Sequence, residues 1–155
     1  NRVEEYDEAM RLLRKYGIHV MGAFVFGFDS DDETVFDDTL DFAMRNRIQV
    51  AQFAHLVPYP GTRLYRELLE QGRIREGFWF QPDWDARVVY APANFTPERL
   101  AFLTHEVQRE FYSFWSIARR MYPHRHWSYW LAFNLLYRHS LSNGRSHEVG
   151  EGGGA

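Results

Sequence analysis

Two apolar runs limit what this chain is able to fold into. "GIHVMGAFVFGF" (17–28) and "IQVAQFAHLV" (48–57) are each almost continuously apolar, each ends in a turn signal, and each precedes a helix-like stretch. A strand apolar throughout, instead of alternating, is the pattern of a parallel sheet covered on both faces. The first run leads into Gly27-Phe28-Asp29-Ser30-Asp31-Asp32, the second into Pro58-Tyr59-Pro60-Gly61-Thr62. With strands over 18–28 and 49–57 joined through a helix, a right-handed parallel crossover is expected.

The helices have their own punctuation. Val3, Tyr6, Met10 and Leu13 recur at helical spacing over 2–16, and Gly17 supplies the exit. Ser30 and Glu33 have capping-box spacing ahead of a helix near 32–46. The first turns of that helix are acidic, the favourable end for negative charge, and Asp37, Asp38 and Asp41 read as a solvated face. Thr62 is placed to cap 63–71, which Gly72 ends. Residues 73–95 are irregular, with Trp79, Trp84 and a short strand candidate at 87–91. Thr96-Pro97 opens a long helix whose stripe includes Leu100, Leu103, Val107, Phe111, Phe114 and Met121, and which ends before Pro123. A last helix over 126–140 is apolar nearly all round and therefore needs something to bury it. From Ser140 the chain is polar and glycine-rich, and such a segment is expected to stay disordered because it cannot offset its ordering entropy.

Composition removes several classes of function. A net charge of -3 argues against a nucleic-acid partner, which needs concentrated positive charge. No run approaches the roughly 20 apolar residues of a membrane span, and with no signal-like segment the expected location is cytoplasmic. There is no cysteine, so the chain offers no disulfide, no thiolate zinc site and no ligand to an iron–sulfur cluster. His124 and His126 lack a nearby third ligand other than His139, short of what zinc requires. Two parallel strands and one doubtful third do not make an independent sheet, and the opening helix has no strand before it. The expectation is the back end of a larger protein, cut inside an α/β domain.

Residues 1–43, the stretch "VAQFAHLVPYPGTRLYRELLEQGRI", then "FTPERL" and "REFYSFWSIARR" together resemble the latter part of radical S-adenosylmethionine (SAM) enzymes of the cobalamin-binding branch. The resemblance implies an α/β fold: the last βα units of a partial TIM-like (βα)6 barrel over 1–75, a connector over 76–95, a mainly helical C-terminal domain over 96–139, and the glycine-rich tail over 140–155. It implies SAM, a [4Fe-4S] cluster and cobalamin in the parent protein, with the cluster and cobalamin ligands upstream of Asn1. The implied partners are the missing N-terminal half of the polypeptide and an apolar small-molecule substrate. The implied reaction is methylation of an unactivated carbon of a lipid- or tetrapyrrole-like substrate, with oxidative cyclisation as the alternative. A noncatalytic interaction module is the reading from a different class.

The family's fifth-strand motif, apolar–x–Gly–x–x–Glu, meets the adenine of SAM. Val25 and Gly27 match it; position 30 is Ser, and an acid comes one place later at Asp31. The resemblance thus marks Val25, Gly27, Phe28, Asp31 and Tyr59 as cofactor-binding, with no catalytic side chain and no metal ligand in this chain. On the residues alone, "GFDSDD" has two readings. Gly27 lets a flat purine approach the backbone, Phe24, Phe26 or Phe28 stack on it, and Asp29 or Asp31 accepts a hydrogen bond from it. Alternatively, the bend is a strand end with Asx turns before a capped helix. His55 reads first as a core or rim histidine and second as a proton-transfer group. Phe111, Phe114 and Trp115 read as core or domain interface.

Overall fold

The computed structural model describes residues 3–81, 87–121 and 127–148. The elements in chain order are α1 (Val3–Lys15), β1 (Met21–Phe26), α2 (Thr34–Arg45), β2 (Val50–His55), α3 (Arg63–Glu70), a 3₁₀ turn (Phe78–Phe80), α4 (Pro97–Phe111), α5 (Phe114–Met121) and α6 (Trp127–Glu148). β1 and β2 form a two-stranded parallel sheet, and α2 is their crossover. Among the described residues the fold is therefore mixed α/β, and no barrel is formed by them.

Several local signals act as their chemistry requires. The Gly17 region closes α1, with Ile18 N–H donating to the Leu13 carbonyl at 2.9 Å and Gly17 at φ +69. Thr62 Oγ1 accepts from Tyr65 N–H and caps α3, and Thr96 Oγ1 accepts from Arg99 N–H at the start of α4. The capping box at Ser30 and Glu33 does not form. Asp32 takes over by accepting from both the N–H and the hydroxyl of Thr34 at 2.8 and 2.6 Å. Glu33 is drawn away to Arg99, with contacts of 2.8 and 2.6 Å.

The strands are not covered on both faces. Phe26, Ala51 and Phe53 are buried, whereas Met21, Ala23, Val25, Gln52 and Ala54 are exposed. Apolar composition alone did not reveal this, because the pleat sends alternate residues to opposite faces whatever their polarity. The strand candidate at 87–91 reduces to a single antiparallel bridge, Ile74 with Tyr90. Pro92 has no N–H with which to extend it.

Two compact units partition the chain: Asn1–Gly22 with Leu40–Ala51 and Gln108–Ala155, and Ala23–Thr39 with Gln52–Val107. In the second unit, Phe53 stacks with Phe24 and Phe26 at ring separations of 5.4 and 6.3 Å. Phe36 meets Phe26 at 4.4 Å and Phe95 at 5.9 Å. Leu100 is fully buried.

The first unit is organised by Arg120, 1% exposed. Its guanidinium donates to the carbonyls of Ile48 (2.7 Å), Gln49 (3.0 Å) and Phe111 (2.8 Å), to Asn134 Oδ1 (3.2 Å) and to Ser116 Oγ (3.2 Å). It also lies 3.6 Å over the Phe111 ring. Every one of these acceptors is neutral, and burial depresses the guanidinium to about 10.

This cluster explains why the expected long helix is two helices. The Phe111 carbonyl at the end of α4 is taken by Arg120 and by the Ser116 hydroxyl (2.6 Å). Ser113 Oγ then accepts from Ser116 N–H to start α5. At the break Tyr112 is fully buried, its hydroxyl donating to the Ala51 carbonyl at 2.8 Å and accepting from Ala51 N–H at 3.2 Å. The expected tail begins at 140; α6 instead continues to Glu148.

Arg120→Met keeps most of the apolar stem but leaves buried carbonyls without donors. It is expected to cost about 3 kcal/mol, since each orphaned buried polar group costs about 1–3 kcal/mol. A urea melt should show a lower midpoint at unchanged slope; a midpoint within error of the parent contradicts the assignment.

Candidate functional site

The bend after β1 carries most of the residues singled out from sequence, and side chains hold it on every side. Asp31 Oδ2 accepts from the N–H groups of Gly27 (2.9 Å) and Phe28 (3.0 Å), and Asp31 N–H donates to the Phe28 carbonyl at 2.9 Å. The Gly27 carbonyl accepts from the Tyr90 hydroxyl. Asn94 Nδ2 donates to the carbonyls of Asp29 (3.0 Å) and Asp31 (2.9 Å). Asp29 forms a two-point pair with Arg73 at 2.6 and 2.8 Å, and Arg73 also donates to the Ala91 carbonyl at 2.8 Å. The irregular segment around 73–94 is therefore the clamp on the bend.

Charge follows this geometry. The hydrogen bond from Arg73, reinforced by its charge, holds the Asp29 carboxyl below its ordinary 3.8. Burial, assisted by the nearby Asp29 charge, pushes the Tyr90 phenol up to about 12, which keeps it a donor to Gly27 at all ordinary pH. Hydrogen bonds from the Thr34 hydroxyl and N–H hold Asp32 low as well.

The five marked residues fall into two groups. Gly27 and Asp31 shape the bend. Gly27 is buried at φ +100, and a Cβ there would run into Leu100 Cδ2 at 2.6 Å and into the Tyr90 hydroxyl. The space left by its missing side chain is thus filled by protein, so a purine does not enter on that side. Val25, Phe28 and Tyr59 are 45, 46 and 58% exposed and present apolar surface. Because β1 and β2 run the same way, Phe28 and Tyr59 leave from the same end of the sheet. This is the end where loops converge on ligands in parallel α/β folds.

The remaining candidates have structural occupations. His55 Nε2 hydrogen-bonds the Arg87 carbonyl at 2.9 Å, and burial lowers its pKa against that bond. Trp79 packs on Tyr65, Phe78 and Phe80 at 5.7, 5.3 and 5.6 Å. Trp84, His124 and His126 lie outside the described residues. Among the described residues no three His, Cys, Asp or Glu gather to hold a metal ion, and no helix is long and apolar enough to cross a membrane.

A fit test for SAM follows from these contacts. The backbone groups of Gly27 and the Phe28 N–H already have partners within the protein, so they are not the polar hold on an adenine. Phe28, Val25 and Tyr59 fit an apolar wall against its ring. With no cysteine, the chain contributes no thiolate to a cluster.

Sequence reasoning missed Arg73, Tyr90 and Asn94. No local signal finds them, since they act on residues 44 to 65 positions away.

Comparison with known proteins gives a consistent direction. The chain is 36% identical over 121 residues to the bacteriochlorophyllide d C-12(1)-methyltransferase of Chlorobaculum tepidum, covering 78% of this chain and 26% of that protein. It is 33% identical over 79 residues to the C-8(2)-methyltransferase of the same organism, 51% of this chain and 18% of the relative. It is also 31% identical over 72 residues to the anaerobic magnesium-protoporphyrin IX monomethyl ester cyclase of Cereibacter sphaeroides, 46% of this chain and 12% of the relative. The chain spans about a quarter or less of the length of these relatives. No family profile and no solved structure matches it.

Two outcomes follow from the bend. Gly27→Ala should destabilise by about 2 kcal/mol or more, because it combines a positive φ with a collision in a packed core; a melt unchanged from the parent removes that packing. The depressed Asp29 carboxyl contributes stability that is fully present above its unfolded value near 3.8 and is lost as pH falls through the lower folded value. Asp29→Asn should therefore flatten part of the acid limb of stability below about pH 4, and an identical limb in both proteins contradicts the pair.

Proposed function

We propose that this chain supplies the last βα units of a cobalamin-dependent radical SAM methyltransferase, one that methylates an unactivated carbon of a tetrapyrrole. The observation carrying this reading is the 36% identity to a bacteriochlorophyllide methyltransferase over 78% of the chain. The parallel β1–β2 pair, with its two bends leaving at one end, is in keeping with a barrel rim. The exposed face of Met21, Ala23 and Val25 is in keeping with strands that belong to a larger sheet.

In such a protein SAM, the cluster and cobalamin, when bound, supply hydrogen abstraction and methyl delivery. The residues of this chain have humbler tasks. Phe28, Val25 and Tyr59 form a water-excluding apolar wall for the adenine or the macrocycle. Asp31, Tyr90, Asn94 and the Asp29–Arg73 pair hold that wall in place by fixing the bend. With no cysteine, the chain adds no thiolate to the cluster.

A second reading, oxidative cyclisation, is favoured by the 31% identity to the magnesium-protoporphyrin ester cyclase. Product analysis separates the two. A protein carrying this chain together with cluster- and cobalamin-binding segments, given SAM, reductant and a bacteriochlorophyllide without oxygen, is expected to add one methyl group. A ring closure without methyl gain selects the cyclase; neither product with a loaded protein rejects both. Phe28→Ala should weaken SAM or substrate binding by about tenfold, the loss expected for one buried aromatic contact of about 1–2 kcal/mol.

A further inference from the structure

The segment that clamps the bend also encloses a cleft. Residues 72–75 and 88–91 touch at one antiparallel bridge, Ile74 with Tyr90, and Ala91 N–H donates to the Arg73 carbonyl at 2.7 Å. Along this contact lies a cleft of about 450 Å³, the size of a small-molecule site. Ile74, Val88, Val89 and Pro97 give it apolar walls, and Arg73 and Arg75 give it charge. No acid is among its lining residues.

The two arginines differ. Arg73 is committed: its guanidinium donates to both carboxylate oxygens of Asp29, to the Ala91 carbonyl and to Gln71 Oε1, at 2.6–3.0 Å. Arg75 is exposed and has no partner among the described residues. With Asp29 taken by Arg73, the cleft keeps one guanidinium open to an anion. The cleft also adjoins the bend. Tyr90, in its wall, donates to the Gly27 carbonyl, and Arg73 holds Asp29, the residue after Phe28. All of these groups belong to one compact unit. A flat ligand lying on Phe28 therefore has the cleft beside it.

We propose that this cleft is a subsite for a carboxylate on a hydrocarbon stem, with Arg75 pairing the carboxylate and Ile74, Val88 and Val89 against the stem. The inference rests on the tetrapyrrole reading above, and it makes the arm a propionate side chain of the macrocycle. A guanidinium matches a carboxylate through a planar two-point pair. Aliphatic walls around one uncommitted arginine suit a single charge carried on carbon. Phosphate-rich ligands such as nucleic acids call for concentrated positive charge, which this cleft lacks.

Binding alone reads this subsite. A protein carrying this chain together with cluster- and cobalamin-binding segments, titrated with a bacteriochlorophyllide and with its propionate methyl ester, should bind the acid about fivefold more tightly, the effect of one half-open ion pair. Arg75→Gln should erase that preference by weakening the acid alone, and Arg75→Lys should keep part of it. Neither change should move the urea midpoint, because Arg75 is exposed. Equal affinity for acid and ester, or a preference that survives Arg75→Gln, overturns the subsite and leaves the tetrapyrrole reading standing. Binding of neither compound overturns both. SAM affinity lost in Arg75→Gln assigns the cleft to the carboxylate of the cofactor and likewise overturns the proposal.

Discussion

A backbone that stops pairing inside a protein has to find its partners in side chains, and this requirement organises both compact units. In one, α4 ends at Phe111 inside the core, and Arg120 with Ser116 takes the freed carbonyl. In the other, β1 ends at a buried glycine, and Asp31, Tyr90 and Asn94 take the groups that the sheet no longer serves. The guanidinium is a costly way to supply donors, since burial depresses it to about 10. Its five donors all reach neutral acceptors, which is what makes the buried charge tolerable.

This economy changes the reading of the "GFDSDD" bend. Viewed as sequence, its glycine and acids are open invitations to a purine. In the structure the glycine is there because Tyr90 and Leu100 fill the position of a side chain, and Asp31 is consumed by two backbone N–H groups. What the bend and its neighbour leave exposed is apolar: Val25, Phe28 and Tyr59 toward one end of a parallel pair. Recognition by such a surface depends on shape and exclusion of water more than on hydrogen bonds.

Local chemistry was legible in the sequence wherever the interaction was local. The exits at Gly17 and Gly72, the caps at Thr62 and Thr96, and both parallel strands follow from signals within a few residues. The capping box at Ser30 failed because Glu33 has a competing partner in Arg99, 66 residues away. The split between α4 and α5 was hidden for another reason: Arg120 and Ser116 lie only nine and five residues beyond Phe111, but an unbroken apolar stripe does not show that they turn back on its carbonyl. Around the bend, the positions of Phe28 and Tyr59 just past the strand ends were readable, but Arg73, Tyr90 and Asn94 carry no sign of their task. Their only signature is spatial.

The wide sequence separation of that clamp has a consequence in time. Strand β1 and its bend are synthesised long before Arg73, Tyr90 and Asn94, and contacts across such loops form slowly because the chain must first close them. The bend therefore takes its final shape as a late event, after residue 94 has arrived and folded back, and a nascent chain paused earlier presents Gly27 and Phe28 in an unsettled conformation to whatever chaperone or misfolded neighbour is at hand.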